Sequence, residues 1–286
     1  MEGSAMKSFL KPSFLKLVCP VLLVSYSGLA YSATKVFDLS NYKNDFKVWN
    51  NDSVPYMQDR TITVDMASRV NFIDNSLDIG IKNENDKITT GRIESLKTTT
   101  DFLGGDGHKG KIEATLAFMC DGQKNINTHA CEHVWPGFWL WKGPYGDKSA
   151  EIDVAEFQVQ SGGYVSHSNH IYTISSTGRR QLLEEPINYP TNTGTITYSL
   201  EWKCTEGYSS CDVKFLEDGA LRKRQTFYSD SGQSKKVIEG FKKGYQIIFT
   251  QHYYSENPKN VNYYDKFNGH SSEMIIKSLS ISNAVN

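Results

Sequence analysis

Glu151, Asp153 and Glu156 place three carboxylates within six positions of an otherwise apolar run, Glu151-Ile152-Asp153-Val154-Ala155-Glu156-Phe157. Carboxylates that close repel one another and lose hydration when they share a surface, so such a cluster marks a place where a ligand, a metal or a reaction uses it. The run reads as a β-strand. In a regular strand Glu151 and Asp153 share one face and Glu156 falls on the other. One extra residue, a β-bulge, flips the phase and returns Glu156 to the face of the first two. All three acids then line one cleft. Two carboxyl groups about 5 to 5.5 Å apart across a sugar ring can divide the work of breaking a glycosidic bond, one attacking the anomeric carbon and the other protonating the departing oxygen. The competing readings are an exposed acidic strand and a calcium-binding cluster. Neither accounts for the aromatic strand that precedes the acids.

That strand is Trp135-Pro136-Gly137-Phe138-Trp139-Leu140-Trp141. Sugar rings have apolar C–H faces that stack on aromatic planes. Alternation puts Trp139 and Trp141 on one face and Phe138 and Leu140 on the opposite, core-facing side. Other stretches also alternate with period two: Leu77, Ile79 and Ile81; Ile112, Ala114, Leu116 and Phe118; Ile196, Tyr198, Leu200 and Trp202. Further strands are expected at 60–65, at 211–217 ahead of an Asp218-Gly219 hairpin, at 245–253 and at 273–281. Tyrosine, phenylalanine, threonine and glycine are plentiful, and long helical runs are missing. Many short antiparallel strands without a dividing linker predict an all-β protein, a β-sandwich jelly roll. Gly105-Asp106-Gly107-His108-Lys109-Gly110-Lys111 nearly fits a phosphate-binding loop, but Ile112 stands where a hydroxyl must hold magnesium, so a turn entering a strand is expected.

These ordered features resemble glycoside hydrolase family 16, on the laminarinase, agarase, porphyranase and carrageenase side. Glu151, Asp153 and Glu156 match the family's bulged E-x-D-x-x-E motif. Gly110 to Ala114 looks like its "G-x-x-E-A-R" strand with Thr115 in place of Arg. Trp135 to Leu140 looks like "W-P-A-F-W-L" with Gly137 in place of Ala, and the strand ending in Leu200-Glu201-Trp202 looks like "L-E-W". The resemblance spans roughly residues 89 to 281. It implies a jelly roll bent into a concave glycan-binding groove, with Glu151 as nucleophile, Glu156 as general acid and then base, and Asp153 hydrogen-bonded to Glu151. It also implies that Trp135 and Trp139 form the subsites beside the cleaved bond and that His170 is a polar contact near the nucleophile. Trp141 either covers the groove or packs. His252, Tyr253 and Tyr254 could form the opposite wall.

The resemblance further implies a retaining, endo-acting hydrolase of a β-linked polysaccharide, either an algal-type galactan or a β-1,3-glucan. A transglycosylase and a non-catalytic carbohydrate-binding jelly roll are the alternatives. No cofactor is required, and a structural calcium, known in some relatives, stays open. Basic residues at Lys142, Arg179, Arg180, Arg222, Lys223 and Arg224 could meet sulfate groups, although such clusters are more often solvated faces.

Residues 1–32 have the shape of a secretory signal, with Lys7, Lys11 and Lys16 ahead of a short apolar core and a small-residue end at Ala30-Tyr31-Ser32. One domain over 33–286 is expected, secreted to the exterior or the periplasm, monomeric and without a membrane anchor once the signal is removed. A net charge of −1 argues against a nucleic-acid partner. Cys19 leaves with the signal, and the other four cysteines fall into two short-range pairs, Cys120 with Cys131 and Cys204 with Cys211, expected as disulfides. His129 and His133 beside Cys131 allow a zinc reading. Exported, even-numbered cysteines in a loop favour the disulfide, and no metal site is expected.

Overall fold

The period-two stretches become strands, and their apolar sides meet in the middle of a two-sheet sandwich. The computed structural model describes residues 34–50, 52–53, 63–84, 87–120, 134–143, 150–159, 165–174, 180–182, 189–190, 195–253 and 271–283. Among these, eleven strands form one sheet. Its order runs β17 (Ala220–Tyr228), β16 (Ser210–Glu217), β15 (Ile196–Cys204), β9 (Lys109–Cys120), β19 (Ser271–Ser282), β6 (Ser76–Glu84), β7 (Lys87–Thr90), β4 (Thr63–Asp65) and β3 (Asp52–Ser53). Beside this path, β1 (Thr34–Val36) pairs with β19 and β5 (Val70–Ile73) with β6. All pairings are antiparallel except β4 with β7.

Eight strands form the second sheet. It runs β13 (Arg180–Leu182), β12 (Val165–Ile174), β11 (Ala150–Val159), β10 (Val134–Lys142), β18 (Gln246–Tyr253), β8 (Arg92–Ser95) and β2 (Phe46–Val48), with β14 (Tyr189–Pro190) beside β12. The inward residues of both sheets share one core. Phe138, Leu140, Ile152, Phe157, Ile171 and Phe249 of the second sheet pack with Leu116, Tyr198, Leu200, Met274 and Ile276 of the first. Phe157 bridges the layers, with its ring 4.5 Å from Phe118 and 5.3 Å from Tyr198. The acids and tryptophans therefore stand on the outer face of the second sheet, on strands whose other face is anchored in the core.

The turn chemistry follows the sequence. Asp218 (φ 48°) and Gly219 (φ 78°) both take the left-handed conformation that a two-residue hairpin requires between β16 and β17. The glycine-rich stretch before β9 leads into a strand rather than a helix, so it lacks the helix N-terminus a phosphate loop needs. Trp202 is core: its indole nitrogen donates to the Gly107 carbonyl at 3.0 Å. Gly110 stays side-chain-free because a Cβ there would run into the Trp202 ring.

Of the strand expected at 60–65, Thr63–Asp65 is described and is a strand, while 60–62 lie outside the described residues. Residues 234–243, for which no element was predicted, form helix α2 (Ser234–Lys243), which buries Val237, Ile238 and Phe241 and stacks Phe241 on Trp202 at 5.3 Å. Their spacing at i, i+1 and i+4 is a helical stripe. Arg222, Lys223 and Arg224 lie on β17 at the far edge of the other sheet, where Arg222 pairs with Glu217 and Arg224 with Asp212, so they cannot serve the face that carries the acids.

Cys204 and Cys211 sit directly opposite each other on β15 and β16 and form the expected disulfide. Cys131, His129, His133, Tyr254, Arg179 and the 1–32 segment lie outside the described residues. Among the described residues no helix is long and apolar enough to cross a membrane.

Candidate active site

The phase of β11 is what assembles the site. Against β12, Asp153 pairs with His170 and Glu156 with Ser168, so Val154 and Ala155 together oppose the single residue Asn169. Against β10, Asp153 pairs with Trp139 and Glu156 with Gly137, which repeats the count of two against one at Phe138. This is a β-bulge at the position the parity argument requires. Val154 and Ala155 both turn into the core, and Asp153 and Glu156 both turn out.

His170, opposite Asp153, ties these acids together. Its Nδ1 lies 2.6 Å from Glu156 Oε2 and 3.7 Å from Asp153 Oδ2, and the Tyr172 hydroxyl lies 3.2 Å from the same nitrogen. Burial works against an imidazolium here, but hydrogen bonding to and the charges of Asp153 and Glu156 outweigh it and push His170 up to about 9. Histidine at this position is a cation at neutral pH. Asp153, Glu156 and His170 offer ligand atoms within 4.8 Å of one another. A proton on His170 competes with any metal for that nitrogen, so ion pairing within the trio and cation binding by it oppose each other.

Glu151 stands on the same face, opposite Trp141 on one side and Tyr172 on the other. It is 3% exposed and Asp153 5%, whereas Glu156 is only half-buried, so Glu156 is the acid that solvent or a ligand reaches most readily.

The tryptophans form the neighbouring floor. Trp139 and Trp141 meet edge to face at 6.0 Å and pack with Ile248, and the Trp139 indole nitrogen donates to Thr250 Oγ1 at 3.3 Å. Both are nearly closed off, at 7% and 4% exposure. Trp135 keeps more open surface, half-buried on the same face, its ring 6.5 Å from His252.

The structure adds residues that the sequence reading passed over. Arg92 and Glu94 on β8 continue the outer face beyond Ile248, with Glu94 paired to Ile248 and Arg92 to Thr250. The Arg92 guanidinium lies 4.4 Å from the Trp49 ring and 5.5 Å from that of Trp139, while Lys47 covers Trp49 at 4.0 Å. Glu94 Oε2 accepts from Trp49 Nε1 at 3.0 Å and lies 3.4 Å from Arg92 Nη2. The signal was present in Arg92-Ile93-Glu94, two charges alternating with a buried isoleucine. Asn169 and Tyr172 carried no comparable signal.

The two-sheet jelly roll is a fold that this chain shares with solved structures of glycoside hydrolase family 16 proteins and β-glucanases. One is a glycoside hydrolase family 16 protein from a mixed-linkage glucan locus of Bacteroides ovatus, in complex with a product, at a TM-score of 0.63 and 18% identity over 86% of this chain and 99% of that one. An endo-1,3-β-glucanase from Streptomyces sioyaensis matches at 0.62 and 18% over 87% and 96%. A third, described as an immunostimulatory antigen and pseudo β-1,3-glucanase of Mycobacterium tuberculosis, matches at 0.62 and 12% over 84% and 92%. No family model matches the sequence. No curated protein matches it either.

Proposed function

We propose that the chain is a secreted, endo-acting β-glucanase that cleaves by double displacement with retention. The observation that carries this reading is the bulge, which turns Asp153 and Glu156 to the same side as Glu151. Glu151, held on a strand anchored in the core, attacks the anomeric carbon and forms the glycosyl intermediate. Glu156, the more open acid, passes to the leaving oxygen the proton it shares with His170, and then takes one back from the attacking water. Asp153, between the two on one face, orients Glu151. His170 keeps a proton beside Glu156 up to about pH 9. Trp135 offers the apolar plane for a sugar ring.

A β-1,3- or mixed-linkage glucan is favoured over an algal-type galactan. The similar solved proteins are named for the first two, and Arg222, Lys223 and Arg224 are too far round the fold to receive sulfate groups. A glucan-binding protein without turnover is the second reading, because one similar structure is described as a pseudo-glucanase.

The test is a reducing-end assay of the purified protein on laminarin, lichenan, agarose, porphyran and carrageenans, with the anomeric configuration of the first product followed by NMR. Glu151→Gln should lower turnover by about 10⁴-fold or more with the fold intact. Wild-type activity in that variant would remove the nucleophile assignment. Binding of laminarin with no reducing ends from the wild type would establish the second reading.

A further inference from the structure

The bulge in β11 leaves a backbone problem as well as solving a side-chain one. Two residues, Val154 and Ala155, face one residue of β12, so the ladder cannot pair every carbonyl there. Asn169, the residue facing them, is polar yet points inward, sharing the core-facing parity of Ile171. It is 2% exposed. Its side-chain amide donates a short hydrogen bond to the Val154 carbonyl. Its Oδ1 finds no partner among the described residues. The donor satisfies a buried carbonyl while the amide oxygen is left unmatched in return, so the bond to Val154 is what this polar residue contributes to the core. What it does is fill the acceptor that the extra residue exposes.

We propose that Asn169 is a positioning residue: by capping the Val154 carbonyl it holds the bulge in phase, and thereby keeps Glu156 on the same side of the sheet as Asp153 and His170. It acts through the backbone and touches no reacting atom. Without its donor, the desolvated carbonyl is costly to leave unpaired, and β11 gains by slipping one residue to recover a ladder bond. A slip of one position sends Glu156 to the opposite face.

The proposal rests on the observed bulge and only in its catalytic consequence on the glucanase reading, so the test needs no substrate. Asn169→Leu removes the donor while keeping the branched outline of the side chain, and the titration of His170 is followed by histidine NMR in the wild-type and variant chains. The groups facing this imidazole are Asp153, Glu156 and Tyr172, with Glu151 adjacent on the same face. With the bulge in place the His170 midpoint is expected at about 9; with Glu156 turned away it should fall, since Asp153 alone is left to oppose the burial of the cation. Asn169→Ser, too short to reach the carbonyl, should behave as the leucine variant does. A well-folded Asn169→Leu whose His170 titrates as in the wild type overturns the proposal. So does failure of both variants to fold, since that would make Asn169 a stability residue. On an active wild type the same variant should lose far more kcat/KM on a polysaccharide than on a dinitrophenyl glycoside, whose leaving group needs no proton and whose kcat/KM does not include hydrolysis of the intermediate. Equal losses on both substrates would likewise count against a role in placing Glu156.

Discussion

The charge on His170 makes the protein's stability depend on pH in a defined window. The folded value of about 9 lies above the ordinary 6.5, so between those values the folded chain holds a proton that the unfolded chain has released. Each pKa unit of difference corresponds to about 1.4 kcal/mol, which gives the ion-pair cluster a contribution of at most about 3 to 4 kcal/mol. That contribution is fully present below pH 6.5 and is lost as pH rises through about 9. The contrast to measure is urea unfolding of wild type and His170→Gln at matched pH values from 6 to 10. In the middle of the window the wild type should lose up to about 1.4 kcal/mol per pH unit more steeply than the variant, because one proton separates its folded and unfolded states. Comparing slopes cancels the tyrosines and lysines common to both proteins, and it also cancels the fixed cost of leaving Glu156 and Asp153 without a cation. Parallel curves across the window would refute the reasoning, since they would show that His170 is not protonated between its two acids.

Two further outcomes follow from particular contacts. Glu156→Ala should retain Glu151 and form the glycosyl intermediate with an activated substrate, and azide should then restore turnover as a glycosyl azide of retained configuration; absence of rescue with every activated substrate would remove Glu156 from the acid and base role. Trp202→Ala should cost about 3 to 5 kcal/mol in chemical denaturation, because it empties a site that is 1% exposed, removes the stacking on Phe241 and leaves the Gly107 carbonyl without its donor; a loss under 1 kcal/mol would mean that α2 is not held by this ring.

The outer architecture was legible in the sequence because strand burial has a period of two. Leu77, Ile79 and Ile81, or Ile196, Tyr198, Leu200 and Trp202, point inward whatever strand lies beside them, so local alternation identifies them as core. The same rule separated Phe138 and Leu140 from Trp139 and Trp141. The Asp218-Gly219 hairpin was legible for an equally local reason, the left-handed backbone that few residues adopt. Helix α2 was missed because its apolar stripe is only three residues long.

The acids show where local reasoning ends. Their types and spacing determined that Glu151 and Asp153 share a face and that Glu156 joins them only if one residue is unpaired. Whether it is unpaired is settled by the neighbouring strands: Asn169 and Phe138 each face two residues of β11, and a strand cannot reveal its own register to a reader who does not see its partners. The ion pair of His170 with Glu156, the cations around Trp49, and Asn169 beneath the bulge join residues from separate strands. Sequence alone determined the inward and outward sides of each unbroken strand run; only the tertiary structure decided where that alternation breaks, at the bulge before Glu156, and which outward side chains meet, because both depend on pairing between distant segments.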